Sequence, residues 1–543
     1  MNIRHVSKGW RTERGAGRPP LGFCVNGACG ARWTRLLLMR TQDNHRWQAT
    51  KMLVELLLFA VLVFLLWKTF RKPPGLPPGR WGLPLVGYIP WTSKSFEEQV
   101  MDLHEQYGDV FLWRMGTQLM MFLKDYKLVK EAYSRFDFID RPNWETFKTF
   151  EETPHGVATS NGLLWHNNRR FTLRQLRDLG MGKSSMVGAV QHQGLKLRET
   201  IAEKAGTPGM IPHQLHVTVL NVIWHMVASR QFDAEDKMLQ EFLKLMEDFV
   251  LISNRLAIKD FLPWLENIMP DFLFKRLIKY HGTKDLKDKF IRYFTDEIEE
   301  HKATLDPDNP RDLIDSYLLE MEDKKDDPET TCSEWDLIFL MFDMFFAGSE
   351  TTVNTFTWLC CYLAAHPQVQ RKMHTEIDEV LPNGALPTLA EKPRMPYTEA
   401  VINEVMRVCS LVNFGLQHMA ASDTQLGGYT IPKGAVVSAT VTSIHYDCRY
   451  WDRPKEFKPE RWLDKNGKFF IPKEGFLPFG LGKRVCVGES LARMELFILT
   501  TMVFQSFSIA PPPGKSVNLT PDLSGFFFRK AMPNEFVFTA REQ

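Results

Sequence analysis

Apolar positions in this chain recur mostly at helical spacing, but one stretch is apolar on nearly every face. "SEWDLIFLMFDMFFAGSETTVNTFTWLCCYLAAHP" (Ser333–Pro367) predicts a helix more than thirty residues long. It starts on Ser333 as N-cap, with Asp336 three residues on, and stops at His366-Pro367. A helix with no polar face has to be buried, in protein or in lipid. The run Ala347–Thr355 ("AGSETTVNT") argues against lipid. A carboxylate and several hydroxyls in mid-helix are costly unless they line a cavity, so a site is expected there.

Long helical stretches are predicted from Leu163 to about Arg407. Within them "DLKDKFIRYFTDEIEEHK" (Asp285–Lys302) reads as a solvated amphipathic face, and the hydrophilic run Glu320–Thr331 as a surface loop. "VFLWRMGTQLMMFLKD" (Val110–Asp125) predicts a hairpin around Gly116-Thr117, and "GGYTIPKGAVV" (Gly427–Val437) a second strand–turn–strand. No internal repeat or long low-complexity linker follows Trp81. The expected fold class is mainly α (α+β), a helix-rich body with a smaller β-rich part.

Near the start, "MLVELLLFAVLVFLLW" (Met52–Trp67) carries one acidic residue, Glu55, and no small-residue cleavage site follows it. With Thr69 and Phe70 it is long enough for a thin bilayer, so residues 52–70 are expected to be an uncleaved transmembrane signal anchor. Lys68, Arg71 and Lys72 would hold its far end in the cytoplasm. The Pro/Gly-rich residues 71–90 read as a stiff connector to a body at 91–543. Residues 1–51 hold ten Lys/Arg against Glu13 and Asp43, a local net of +8 in a chain whose total is +2. That basic extension competes with Lys68–Lys72 for the cytoplasmic side. It fits an over-long start, or an Arg-rich organelle presequence although it has only one Ser. No basic stripe runs through the rest, so nucleic acid is not an expected partner. The eight cysteines are scattered with no CxxC pair, which suits free thiols on the reducing side of a membrane.

One cysteine sits in a specific frame. In "FLPFGLGKRVCVG" (Phe476–Gly488), Cys486 is surrounded by Gly480, Gly482 and Gly488 and preceded by Lys483 and Arg484. A lone free cysteine is usually a small buried hydrophobe. Here Phe479, Gly482, Arg484, Cys486 and Gly488 match F-x-x-G-x-R-x-C-x-G, and four further motifs stand in order before it. Trp165 and Arg169 match W-x-x-x-R; Ala347, Gly348, Glu350 and Thr351 match a helix motif; Glu404 and Arg407 match E-x-x-R; Pro459–Trp462 is "PERW". Alone, Glu404 and Arg407 would be an ordinary i,i+3 surface pair. Together the motifs resemble those of the cytochrome P-450 haem-thiolate monooxygenases, over nearly everything after Pro73. The microsomal drug- and steroid-metabolising branch is most similar.

The resemblance implies a haem b cofactor (iron protoporphyrin IX) with Cys486 as the iron ligand. Thiolate donation is what favours O–O cleavage in such proteins. It further implies Arg484, Trp165, Arg169 and His418 as propionate partners, Phe479 packed on the ring, and Gly482 and Gly488 as turns that aim N–H groups at the sulfur. Glu404, Arg407 and Arg461 would form a buried structural triad. Ala347 and Thr351 are i and i+4 and so share one face. Ala347 would leave room for dioxygen, Gly348 would let the helix open, and Glu350 with Thr351 would deliver protons. The alternative for Thr351 is a helix-bending residue only. Candidate substrate contacts are Phe346, Leu411, Val412, Phe414 and Phe526, all suited to a lipophilic molecule: steroid, fatty acid, terpenoid or xenobiotic. Lacking any flavin or nicotinamide fingerprint, the chain would need NADPH-cytochrome P-450 reductase as electron donor, with cytochrome b5 as a further partner, and membrane lipid around its anchor. The expected location is the endoplasmic reticulum membrane with the body in the cytosol; the alternative is mitochondrial. Two departures stand out: Arg80 ends the Pro77-Pro78-Gly79 run where the family has Pro, and Gln417 precedes His418 where Pro is common. Rival functions are a non-enzymatic haem sensor or carrier and an enzyme that rearranges peroxides on the same fold.

Overall fold

The structure is a computed structural model describing residues 47–542 apart from 49, 65, 66, 69, 90, 91, 149–152, 526 and 527. The chain divides into two compact units between Arg71 and Lys72. In the first, residues 50–64 are helical and exposed throughout. Among the described residues no helix is long and apolar enough to cross a membrane. Leu65, Leu66 and Thr69 of the expected anchor lie outside the described residues, as does the extension up to residue 46.

The second unit is organised around the predicted helix, observed as Glu334–Ala365. The Ser333 hydroxyl accepts from the Asp336 N–H at 3.1 Å and donates to the Asp336 carboxylate at 2.6 Å, which fixes the start. His366 caps the far end, and Pro367, which cannot continue it, opens the next helix, Pro367–Val380. The central helix packs against the helices Gln214–Ala228, Pro396–Cys409 and Glu489–Ser506. Its Phe345 ring meets Trp224 at 4.1 Å between centroids. Each such fully buried aromatic contributes roughly 1.5–3 kcal/mol. At Gly348 the neighbouring helix comes closer still, since an added Cβ would lie 2.7 Å from Ile223 Cδ1.

The β-rich part is a five-stranded sheet ordered Gly79–Arg80, Val110–Met115, Gln118–Leu123, Val436–Ala439, His418–Met419. The hairpin at Gly116-Thr117 is as the alternation predicts, with Val110 opposite Leu123 and Met115 opposite Gln118. Two expectations are corrected. The connector is built into the fold, because Gly79–Arg80 pairs in parallel with Leu112–Trp113. Only glycine allows that approach: a Cβ on Gly79 would stand 1.9 Å from the Leu112 carbonyl oxygen. Strands Tyr429–Ile431 and Val436–Ala439 exist but do not pair with each other; the first pairs with Thr424–Leu426, and the second enters the large sheet. The hydrophilic loop also starts later than expected, since the helix Leu313–Asp323 covers its first four residues.

Glu404 and Arg407 are buried at 0% exposure, so the surface-pair reading of this motif is excluded. Glu404 accepts from Arg407 Nε and Nη2 at 2.9 and 2.8 Å and from Arg461 Nε at 3.0 Å. Trp462 Nε1 and the Lys458 N–H complete it, each at 2.9 Å. Arg407 Nη1 in turn donates to the carbonyls of His445 and Pro454. Burial, then the charge of Arg407, pushes His445 down to about 3, so its ring is neutral. Its Nε2 accepts from the Leu477 N–H at 3.1 Å, which joins this polar node to the segment that carries Cys486.

Glu404→Gln should therefore leave two guanidinium groups without their counter-charge. Breaking a buried pair in this way costs about 3–5 kcal/mol. The expected outcome is a lower urea midpoint and a lower yield of folded protein, while Lys94→Ala, which breaks an exposed pair with Asp102, leaves both unchanged.

Candidate functional site

Two accessible stripes interrupt otherwise buried elements. On the central helix Ala347 is exposed and Thr351 half-buried, although their neighbours Phe345, Ser349 and Thr352 are buried. On the segment before the helix Glu489–Ser506, Cys486 is exposed as well. Thr351 Oγ1 donates to the Ala347 carbonyl at 2.8 Å. The helix runs unbroken through this point, so the expected opening at Gly348 is not observed. Gly348 instead serves the approach of Ile223.

Cys486 stands at the N-terminus of Glu489–Ser506, whose N-cap is Gly488. Burial pushes the thiol up; the N–H groups of Gly488 and Glu489 and the charge of Arg169 pull the other way. The Cys486 N–H closes the loop onto the Phe479 carbonyl at 3.0 Å. Gly482 has φ 72° and brings its Cα against the Tyr133 carbonyl oxygen, which a Cβ would meet at 2.0 Å. Its role is thus a close backbone crossing. Gly488, at φ −92°, needs no glycine-only conformation and leaves space beside the sulfur. Phe479 is partly buried under the guanidinium of Arg493, at 4.8 Å.

Around this segment the structure gathers cations without matching carboxylates. Arg484 donates to the carbonyls of Ile139 and Ser160 at 2.9 and 2.7 Å and lies 4.1 Å over the Trp165 ring. Arg169 donates to the Val485 carbonyl at 2.7 Å. Arg141 donates to the carbonyls of Ala158, Leu416 and Gln417. His418 donates from Nδ1 to the Phe138 carbonyl at 2.7 Å and stacks on Tyr133. Burial, then repulsion from Arg141, pushes Arg484 down to about 8, with Asp140 the one acid opposing it. Burial likewise takes Arg141 down to about 10 and His418 well below its usual value. A guanidinium keeps its proton in proteins, so a cluster of buried, mutually repelling cations suits an incoming anion. Trp165 Nε1 is buried with no partner among the described residues, and so are both amide atoms of Gln417, the residue that replaces Pro.

Glu350 and Thr351 are adjacent in sequence but differently engaged. Glu350 pairs with Lys530 at 2.8 Å and accepts from Asn354. The expected substrate contacts are divided. Phe346 stacks on Phe342 at 5.7 Å and approaches Phe528 at 6.3 Å. Val412 is half-buried, and Leu411 is a buried residue of the main core. Phe414 belongs to an aromatic cluster with Phe96 and Phe122, and with Phe528, Glu97 and Arg529 it lines a small pocket of about 20 Å³. Phe526 lies outside the described residues.

Two site residues escaped the sequence reading. Arg141 is a single loop arginine with no periodic signal. Asp343 had one: a carboxylate in the apolar helix, one turn before Ala347. It accepts from the N–H groups of Val157 and Ala158 at 2.7 and 2.9 Å, and burial pushes it up to about 7. It ties the segment before Arg484's carbonyl partner Ser160 to the central helix.

These residues fit a metal-bearing dianion. Cys486 offers one soft donor, and Arg141, Arg169, Arg484 and Trp165 offer N–H groups suited to two carboxylates. The other metal-ligand group among the described residues, His301, Asp312 and Asp315, is spent on a helix cap and the Arg311 pair. The family model for cytochrome P450 matches residues 77–537. Cytochrome P450 2L1 of Panulirus argus is 42% identical over 87% of this chain and 96% of that protein. Cytochrome P450 2B4 of Oryctolagus cuniculus is 36% identical over the same shares. Farnesoate epoxidase of Bombyx mori is 32% identical, again over 87% of this chain and 96% of that protein.

Arg484→Leu should weaken haem retention by roughly tenfold or more, the worth of one charge-assisted hydrogen bond to a carboxylate. Transfer of haem to an excess of apomyoglobin checks it; an unchanged transfer rate would place the anion elsewhere.

Proposed function

The chain belongs to the cytochrome P450 family of monooxygenases, and on that premise we propose that it inserts one atom of dioxygen into a lipophilic small molecule. Electrons would come from NADPH through a separate reductase, with cytochrome b5 as a second donor. The observation that carries this reading is the pair of accessible stripes: Cys486 at a helix N-terminus, and Ala347 with Thr351 in the middle of a buried helix.

Bound haem b would supply the iron at which dioxygen is reduced. Cys486 would hold that iron, with the Gly488 and Glu489 N–H groups limiting how much charge its sulfur donates. Arg484, Arg169, Arg141, Trp165 and His418 would hold the two carboxylates, and Phe479 would pack on the ring. Ala347, having no bulk beyond its methyl, keeps the distal side open. Thr351 donates to the Ala347 carbonyl, so its lone pairs would be left to accept from a water and its oxygen could pass a proton on. Glu350, held by Lys530, is the nearest acid on the same helix.

For the substrate, Phe346 and Val412, with Phe528 near Phe346, would offer apolar surface. They suit a steroid, fatty acid, terpenoid or xenobiotic. The name of the Bombyx mori relative makes terpenoids the first class to screen. The exposed apolar helix 50–64 supports an anchor in the endoplasmic reticulum membrane, with the body on the cytosolic side.

Thr351→Ala should keep haem content and substrate binding while product per NADPH falls severalfold and peroxide rises. Thr351→Ser should restore the ratio. The measurement is product by mass spectrometry against NADPH consumed, over a panel of lipophiles with added reductase. A wild-type ratio in Thr351→Ala across the panel would reduce this hydroxyl to a helix-packing role.

A further inference from the structure

Asp336 and Asp343 stand seven residues apart on the central helix and so share one face. Both are spent on the same short segment. His155 Nδ1 bonds Asp336 Oδ1 at 3.0 Å. Asn168 Nδ2 donates to that oxygen at 3.2 Å and to the Gly156 carbonyl at 3.0 Å. Two turns further on, Asp343 Oδ2 accepts from the N–H groups of Val157 and Ala158 at 2.7 and 2.9 Å. The backbone has to come close for this. Gly156 has φ 71°, and a Cβ there would stand 2.3 Å from Asp343 Oδ2.

The carbonyl side of the segment faces the cations. The peptide group between Val157 and Ala158 gives its N–H to Asp343, and its C=O accepts from Arg484 Nη1 at 3.5 Å. The Ala158 carbonyl accepts from Arg141 Nε at 3.1 Å, and the Ser160 carbonyl from Arg484 Nη2 at 2.7 Å. Asn161 closes the segment. Its Oδ1 accepts from the Arg141 N–H at 2.7 Å and from Arg484 Nη2 at 3.1 Å, and its Nδ2 donates to the Arg141 carbonyl at 2.9 Å. One carboxylate of the central helix thus fixes the carbonyls that aim two guanidinium groups. A peptide group bonded at both ends is polarised by each partner, so its two bonds strengthen one another.

We propose that Asp343 is a positioning residue for the carboxylate end of the cofactor: through residues 156–158 it holds Arg484 and Arg141 in the orientation that retains haem. The helix that bears Ala347 and Thr351 thereby also sets how firmly the cofactor is kept. The effect is carried by the two arginines, so the inference rests on the haem assignment proposed above and on no later step of the reaction.

The test is haem transfer from the full-length holoprotein to excess apomyoglobin, with the reduced carbon-monoxide spectrum recorded for each variant. Asp343→Leu removes the acceptor and should speed transfer roughly fivefold, within the coupling range of residues that share one hydrogen-bond network, while the thiolate-type band stays. Asp343→Asn keeps an acceptor oxygen of the same reach and should restore the wild-type rate. In an Arg484→Leu background, Asp343→Leu should have a clearly smaller effect, because its main route is already cut. Equal factors in the two backgrounds would make Asp343 a general packing residue and overturn the proposal. So would wild-type transfer in Asp343→Leu. Should that variant not fold, Gly156→Ala carries the test from the other side. Its methyl group displaces the segment from Asp343 with every other side chain of the site intact, and it should also speed transfer. A wild-type rate in Gly156→Ala overturns the proposal. A wild-type chain that takes up no haem contradicts the cofactor assignment itself, and this inference falls with it.

Discussion

The buried carboxylate of Glu404 accepts from five donors: two on Arg407, and one each on Arg461, Trp462 and the Lys458 backbone. It is fully buried, and removing it would leave two guanidinium groups without a counter-charge. It fixes the helix Pro396–Cys409 to the segment Pro459–Trp462, and Arg407 carries the constraint on to His445 and so to Leu477. The segment from Phe476 to Gly488 therefore starts from a rigid point. Its other end is the N-cap of Glu489–Ser506. Cys486 is held between two fixed ends, which is what a metal ligand of defined direction requires.

The second constraint is electrostatic and opposite in kind. In the Glu404 node both guanidinium groups face a carboxylate, while the cluster of Arg141, Arg169 and Arg484 is bonded almost wholly to carbonyl oxygens. Carbonyls orient a guanidinium without cancelling its charge. Burial and mutual repulsion in that cluster suit it to an anion, whereas the Glu404 node already holds its counter-charge. The central helix links them, with Asp343 tied to the segment 157–158 and Thr352 to Glu495, whose carboxyl is pushed up to about 8 by burial.

The sequence made some of this legible and hid the rest for physical reasons. The central helix was readable to within a residue, because an N-cap, an apolar run and a proline each leave a local signal. The hairpin at Gly116-Thr117 was equally local. What strand Val436–Ala439 pairs with was not, since its partners Gln118–Leu123 and His418–Met419 are set by tertiary contacts. The glycine frame around Cys486 was legible as a motif. Yet Gly482 and Gly348 owe their identity to Tyr133 and Ile223, neighbours far away in sequence. Arg141 shows the limit most clearly: its contribution comes from three carbonyls on two distant segments, which no spacing encodes.

All of these arguments converge on the sulfur of Cys486. Of the described cysteines, Cys360, Cys361 and Cys409 are buried and their thiols are pushed up, while Cys448 is exposed outside the glycine frame. The direct measurement is the Soret band of the reduced, carbon-monoxide-bound protein in Cys486→Ser and Cys448→Ser. The account predicts that the thiolate-type band disappears in Cys486→Ser and persists unchanged in Cys448→Ser. A thiolate-type band that survives in Cys486→Ser would contradict it.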